Sequence, residues 1–86
     1  PAYPNPFNPT TQIRYDLSSN ENVRIDIYDV MGRRIKSLIN TYQVAGHYSA
    51  KWNAENELGG PVPAGMYICS MHAGDFRKNI KMILIK

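Results

Sequence analysis

One cysteine, Cys69, and two histidines, His47 and His72, are all that the 86-residue chain offers for thiol or imidazole chemistry. A lone thiol cannot close an intramolecular disulfide, and neither histidine has a Cys, His or Glu partner at a zinc-ligand spacing. The fold is therefore expected to stand without covalent staples, structural metal or cofactor. No apolar run approaches the roughly 18 to 20 residues of a spanning helix, so membrane insertion of that kind is not expected. Blocks of like charge are missing too. Ten basic residues are scattered among seven acidic ones, and the net charge of +3 bears on solubility rather than on nucleic-acid binding. The opening PAYPNPFNPTTQ has neither the basic nor the apolar region of a signal peptide and lacks an initiator Met, so the chain reads as a module of a longer protein.

What is present is β-forming. A hydrophobic content of 43%, led by Ile, Val, Tyr and Leu, suffices for one core at this length. Pro1, Pro4, Pro6 and Pro9 remove backbone donors and extend the residues before them, so residues 1–10 are expected as a semi-rigid lead-in or linker, with Tyr3 and Phe7 folding back as lids. Residues 11–86 are then the domain proper. Strict alternation places Ile13, Tyr15 and Leu17 on one face of a strand, and Val23, Ile25 and Ile27 on one face of the next. In Asp29-Val30-Met31-Gly32-Arg33 the carboxylate can cap a type I turn and Gly32 can supply the positive φ of a bulged hairpin, leading to a strand around Ile35 to Ile39. Tyr48, Ala50 and Trp52 alternate after Gly46; the loop from Asn53 to Pro63 is irregular. Gly65 opens a strand through His72, and Ala73-Gly74-Asp75 turns it into a last strand from Phe76 to Ile85, both apolar enough to suggest the middle of a sandwich. A short seventh strand is expected from the lead-in or from Val62. The class is all-β, an antiparallel sandwich of about seven strands, with Ile13, Tyr15, Val23, Ile25, Ile27, Leu38, Trp52 and Tyr67 in its core.

Catalytic chemistry finds little support. Ser18, Ser19, Ser37, Ser49 and Ser70 lie in no nucleophile turn, and Cys69 sits within a strand as a small buried hydrophobe would. His47 and His72 read as exposed strand residues. Asp16, Asp26, Asp29, Glu55, Glu57 and Asp75 follow strand phases or turns rather than forming a hydrolytic pair. Asn53, Glu55, Asn56 and Glu57 gather oxygens that suit adventitious calcium, though at no EF-hand spacing. Tyr28 and Tyr42 are the candidates for stacking on sugar rings, which keeps a carbohydrate-binding or adhesive module as the alternative reading.

A resemblance adds to these residues. YPNPFNPTTQIRYDL at 3–17, IYDVMGRRI at 27–35, Ala45-Gly46, Trp52-Asn53, PVPAGMYICSMHAGDF at 61–76 and KMILIK at 81–86 resemble, in order, the motifs of the type IX secretion C-terminal sorting domains (type A, Por secretion tail). That family is similar in turn to the immunoglobulin-like domain of the flagellar hook-capping protein, so a structural domain of that kind is a further alternative reading. The resemblance implies an immunoglobulin-like fold and a non-catalytic module of a larger secreted protein. It also implies passage through the periplasm to the cell surface or extracellular space, with recognition by the outer-membrane secretion translocon and its sorting machinery. It points to Gly65, Tyr67, Lys81 and Lys86 as the recognition residues of a monomeric domain. Cys69, His72 and Asn53-Ala54-Glu55 depart from the family pattern and leave the terminal strand untouched.

Overall fold

Side-chain burial follows the alternation of the sequence strand by strand. In the computed structural model, which describes residues 2–86, the strands are β1 (Ala2–Tyr3), β2 (Thr11–Leu17), β3 (Glu21–Asp29), β4 (Arg34–Gln43), β5 (Gly46–Trp52), β6 (Gly65–Ala73) and β7 (Phe76–Leu84). Pro1, expected as the first proline of the lead-in, lies outside the described residues. Along β2 every odd position from Thr11 to Leu17 is buried and every even one exposed, the signature of a strand with one face on a core. Two antiparallel sheets result, ordered β1-β2-β5 and β4-β3-β6-β7. The chain crosses between them after β2, β4 and β5, as in an immunoglobulin-like sandwich.

Between the sheets Trp52 is the central filler. Phe7 packs tilted against it at 5.6 Å and Tyr67 packs edge-on at 5.2 Å, geometries that set the positive ring edge on the negative face. Ile13, Val23, Ile25, Ile27, Met82 and Leu84 fill the rest. Two turns go as their residues dictate. Asp29 Oδ1 accepts the amides of Met31 and Arg33, and Gly32 takes φ 82°. Gly74, at φ 58°, opens the two-residue turn between β6 and β7.

Several expectations need correction. Leu38, expected in the core, is only half-buried, because β4 bulges twice against β3, between Ile25 and Asp26 and between Ile27 and Tyr28, and each bulge resets the side-chain phase. The same strand runs on to Gln43 rather than ending near Ile39. β7 is not central: it forms the edge of its sheet, and the strand ends at Leu84. The expected seventh strand comes from the lead-in, as β1. Phe7 is a lid, 1% exposed, whereas Tyr3 points away at 81%.

Candidate functional site

The four residues to which the resemblance points, Gly65, Tyr67, Lys81 and Lys86, lie along the start of β6 and the end of β7 and just beyond it. Gly65 faces Leu84 and Tyr67 faces Met82 across the β6–β7 ladder. Gly65 holds φ 147° with open space where a Cβ would lie, so the backbone conformation, not crowding, favours glycine there. Tyr67 is buried, and its hydroxyl donates to the Pro63 carbonyl at 2.6 Å. A tyrosine near the start of this strand bonding back a few residues upstream is the tyrosine corner of immunoglobulin-like sandwiches, which fixes the crossing between sheets. Burial raises the Tyr67 phenol above its ordinary value, with the Asp29 charge adding to the rise. Both residues set the start of β6; neither presents a free functional group.

At β7 the lead-in returns to meet the terminal strand. Phe7 donates its amide to Ile83 O at 2.9 Å and accepts from Ile85 N at 3.0 Å, as a short parallel bridge. Next to it the Asn5 side chain stands in for a strand residue: Nδ2 donates to Lys81 O at 2.8 Å and Oδ1 accepts from Ile83 N at 3.0 Å. Thr11, wholly buried, anchors the loop by donating its hydroxyl to Pro4 O at 2.8 Å. The Pro-Asn-Pro-Phe run therefore clasps the last strand. Sequence reasoning missed this contact. A primary amide that mimics a backbone amide leaves no periodic trace, and Asn5 and Ile83 are 78 positions apart.

The two lysines differ in role. Lys86 Nζ donates to Val62 O at 3.0 Å and so ties the chain end to the loop before β6. The Lys81 side chain is exposed on the outer face of the four-stranded sheet, in register with Ile68 and, through it, Tyr28. Of the four residues it is the free charge.

Elsewhere the polar groups are absorbed locally. Cys69 is fully buried and desolvation pushes its thiol up to about 12, so it is no nucleophile at neutral pH. His47 and His72 are exposed on separate sheets, and His47 pairs with Asp16 at 2.7 Å. In the loop considered for calcium, Asn56 Oδ1 accepts the amides of Leu58 and Gly60, and no group of three His, Cys, Asp or Glu capable of holding a metal occurs among the described residues. Tyr42 is exposed on β4, whereas Tyr28 is half-buried on β3. Asp26 departs from its expected polar phase: it is 4% exposed, bonded to Arg24 through Oδ2, with Oδ1 and the facing Ser37 Oγ buried and unpartnered.

Comparison with known proteins places this geometry. The family model described as "Secretion system C-terminal sorting domain" matches residues 1–86. Among solved structures, the dimeric latent PorU of Porphyromonas gingivalis superposes with a TM-score of 0.73 at 23% identity, over 99% of this chain and 9% of that one. PorZ of the same organism, described as an essential bacterial surface component of the type-IX secretion system, gives 0.69 at 23% identity over 100% of this chain and 11% of that one. The likeness to these two structures is one of fold, and this chain spans about a tenth of each. No curated protein sequence matches. The flagellar hook-capping relation is not shown by these matches.

Proposed function

Because this chain belongs to the family of secretion-system C-terminal sorting domains, type IX signals that mark proteins for export to the cell surface or extracellular space, we propose that it is the non-catalytic address of a larger exported protein. The type IX outer-membrane translocon reads it, as a monomer, on the flank formed by the final strand. The observation that carries this reading is the clasp of Asn5 and Phe7 on β7, which joins the first and last motifs of the family into one folded unit. Residues 1–10 are then the lead-in that closes the terminal strand, and residues 11–86 the sorting domain proper. Lys81 supplies the exposed charge of the recognition flank. Gly65 and Tyr67 act through position, since one sets the turn into β6 and the other bolts it to Pro63. Lys86 fixes the chain end against Val62.

No second reading is favoured by a specific observation. Removing Lys81–Lys86 outright would delete the buried Met82 and Leu84 and unfold the domain, so the test needs a point change. Residues 1–86 are fused to a periplasm-directed fluorescent protein in a host with this translocon, beside a Lys81→Glu version. The intact fusion is expected outside the cell and the variant, still folded, is expected in the periplasm. Equal export of both would remove Lys81 from the recognition flank; retention of both would defeat the sorting reading.

A further inference from the structure

The clasp covers only part of the free edge of β7. The residues whose backbone it uses are Lys81, Ile83 and Ile85, which face away from β6, and the β6–β7 register runs from Ala73↔Phe76 to Gly65↔Leu84 without a shift. By strand alternation, the backbone groups of Arg77 and Asn79 and the Lys81 amide point the same way. No strand lies beyond them, because β7 ends its sheet. On the opposing sheet, among the described residues, β1 pairs with Gln12 and Ile13, and no described strand covers the flank of β2 from Tyr15 onward. A cleft of about 460 Å³ runs between these two uncovered edges, with Tyr15, Met71, Phe76, Lys78 and Ile80 among its lining.

We propose that the β7 edge from Phe76 to Lys81 is a strand-acceptor site for an extended partner segment that alternates apolar and acidic residues. The proposal rests on the sorting reading for the partner's identity as translocon machinery, and on the edge itself for its chemistry. An added strand forms backbone hydrogen bonds with Arg77, Asn79 and Lys81, and its side chains alternate between two different surroundings. Those turned inward meet Phe76, 55% exposed, and half-buried Ile80, two apolar contacts that the sandwich leaves open, with the exposed Lys78 between them on the same face. Those turned outward meet Arg77 and Lys81, and β7 carries no acidic residue over its whole length. Of the cleft's lining residues the acid is Asp16, which is paired with His47, and Asp75 sits in the turn just before Phe76. Charge complementarity thus selects an acidic outer face on the partner and sets its register.

The clasp limits the site and directs the partner to it. Pro4, Pro6 and Pro9 lack backbone N–H groups, so no strand can add outside the lead-in, and the terminal half of the edge is closed. Recognition by strand addition is confined to the N-terminal half of β7.

The test uses the purified domain and two capped synthetic peptides long enough to span Phe76 to Lys81, one alternating Val and Glu and one alternating Val and Lys. Amide hydrogen exchange and peptide affinity are measured together. The Val/Glu peptide is expected to protect the Arg77, Asn79 and Lys81 amides and to bind at least about tenfold more tightly than the Val/Lys peptide, the advantage shrinking as salt rises. Asn79→Pro, which removes an outward N–H and no ladder bond within the sheet, should abolish protection, and Arg77→Glu should reverse the preference for Glu. Binding without protection of those amides, equal affinity for both peptides, or no binding at all overturns the proposal. The export fusion separates this from the sorting reading. If the intact fusion leaves the cell and the folded Asn79→Pro fusion leaves equally well, the edge fails while the sorting role stands. If the peptide result holds and the intact fusion is retained, the sorting role fails while the edge stands.

Discussion

Replacing Phe7 by Ala separates a lead-in that is part of the fold from one that merely precedes it. The ring is 1% exposed, packs at 5.6 Å against Trp52, and holds the backbone that bonds Ile83 and Ile85. Truncating a buried Phe to Ala costs about 3–5 kcal/mol, against a total of about 5–10 kcal/mol for a domain of this size. At about 4–8 °C of melting temperature per kcal/mol, the loss is at least about 12 °C. Thermal denaturation followed by circular dichroism measures it, and amide exchange locates it: the Ile85 and Phe7 amides should exchange faster in the variant under conditions where both proteins remain folded. Tyr3→Ala is the control, since that ring is 81% exposed and its removal should stay within about 0.5 kcal/mol. A Phe7→Ala melting temperature within about 4 °C of wild type, or a Tyr3→Ala loss of equal size, would refute the argument that the lead-in is held by its buried ring.

Further expectations follow from single contacts. Tyr67→Phe removes the hydrogen bond to Pro63 O and should lower stability by about 1 kcal/mol in chemical denaturation, with no change in the denaturant slope; no measurable loss would mean that the hydroxyl does not bolt the turn. His47 is raised above its ordinary 6.5, first by its hydrogen bond to Asp16 and then by that carboxylate's charge. The small stabilisation it contributes is therefore fully present below about pH 6.5 and is lost as pH rises through the raised value. An NMR titration should show His47 falling back in Asp16→Asn, and an unchanged midpoint would contradict the pairing. Asp29 is lowered, first by the Arg33 backbone amide, so its contribution is present above the ordinary carboxylate range and is lost as pH falls through the lowered value; Asp29→Asn should flatten that acid-side loss. Cys69 should resist iodoacetamide at neutral pH in the native state and react on unfolding, and rapid native labelling would contradict its burial.

Where one face of a strand is buried and its register is unbroken, the sequence states its own structure. β2 and the inner positions of β3 were legible for that reason, as were the Asp29 turn, Gly32 and the central place of Trp52. β4 was harder because its two bulges shift the phase, and a two-fold period cannot be followed through an extra residue. The edge position of β7 was hidden by its composition. Met82, Ile83, Leu84 and Ile85 read as a strand covered on both sides, and the cover on the edge side is supplied by Asn5 and Phe7 from the other end of the chain. At the candidate site, Gly65 and Tyr67 were visible as motif residues, but their work is positional and rests on a backbone angle and a bond to Pro63. Lys86 looked like the twin of Lys81 by symmetry about the apolar run. Its bond to Val62 O depends on where a loop 24 residues upstream returns, which no local pattern encodes.

The central claim is tested most directly by measuring where the fusion of residues 1–86 to a periplasm-directed fluorescent protein accumulates in two strains that differ only in the type IX translocon. Fluorescence at the surface or in the medium of the strain with the translocon, and in the periplasm of the strain without it, is the expected result. Periplasmic retention in both strains, or release from both, would contradict the account.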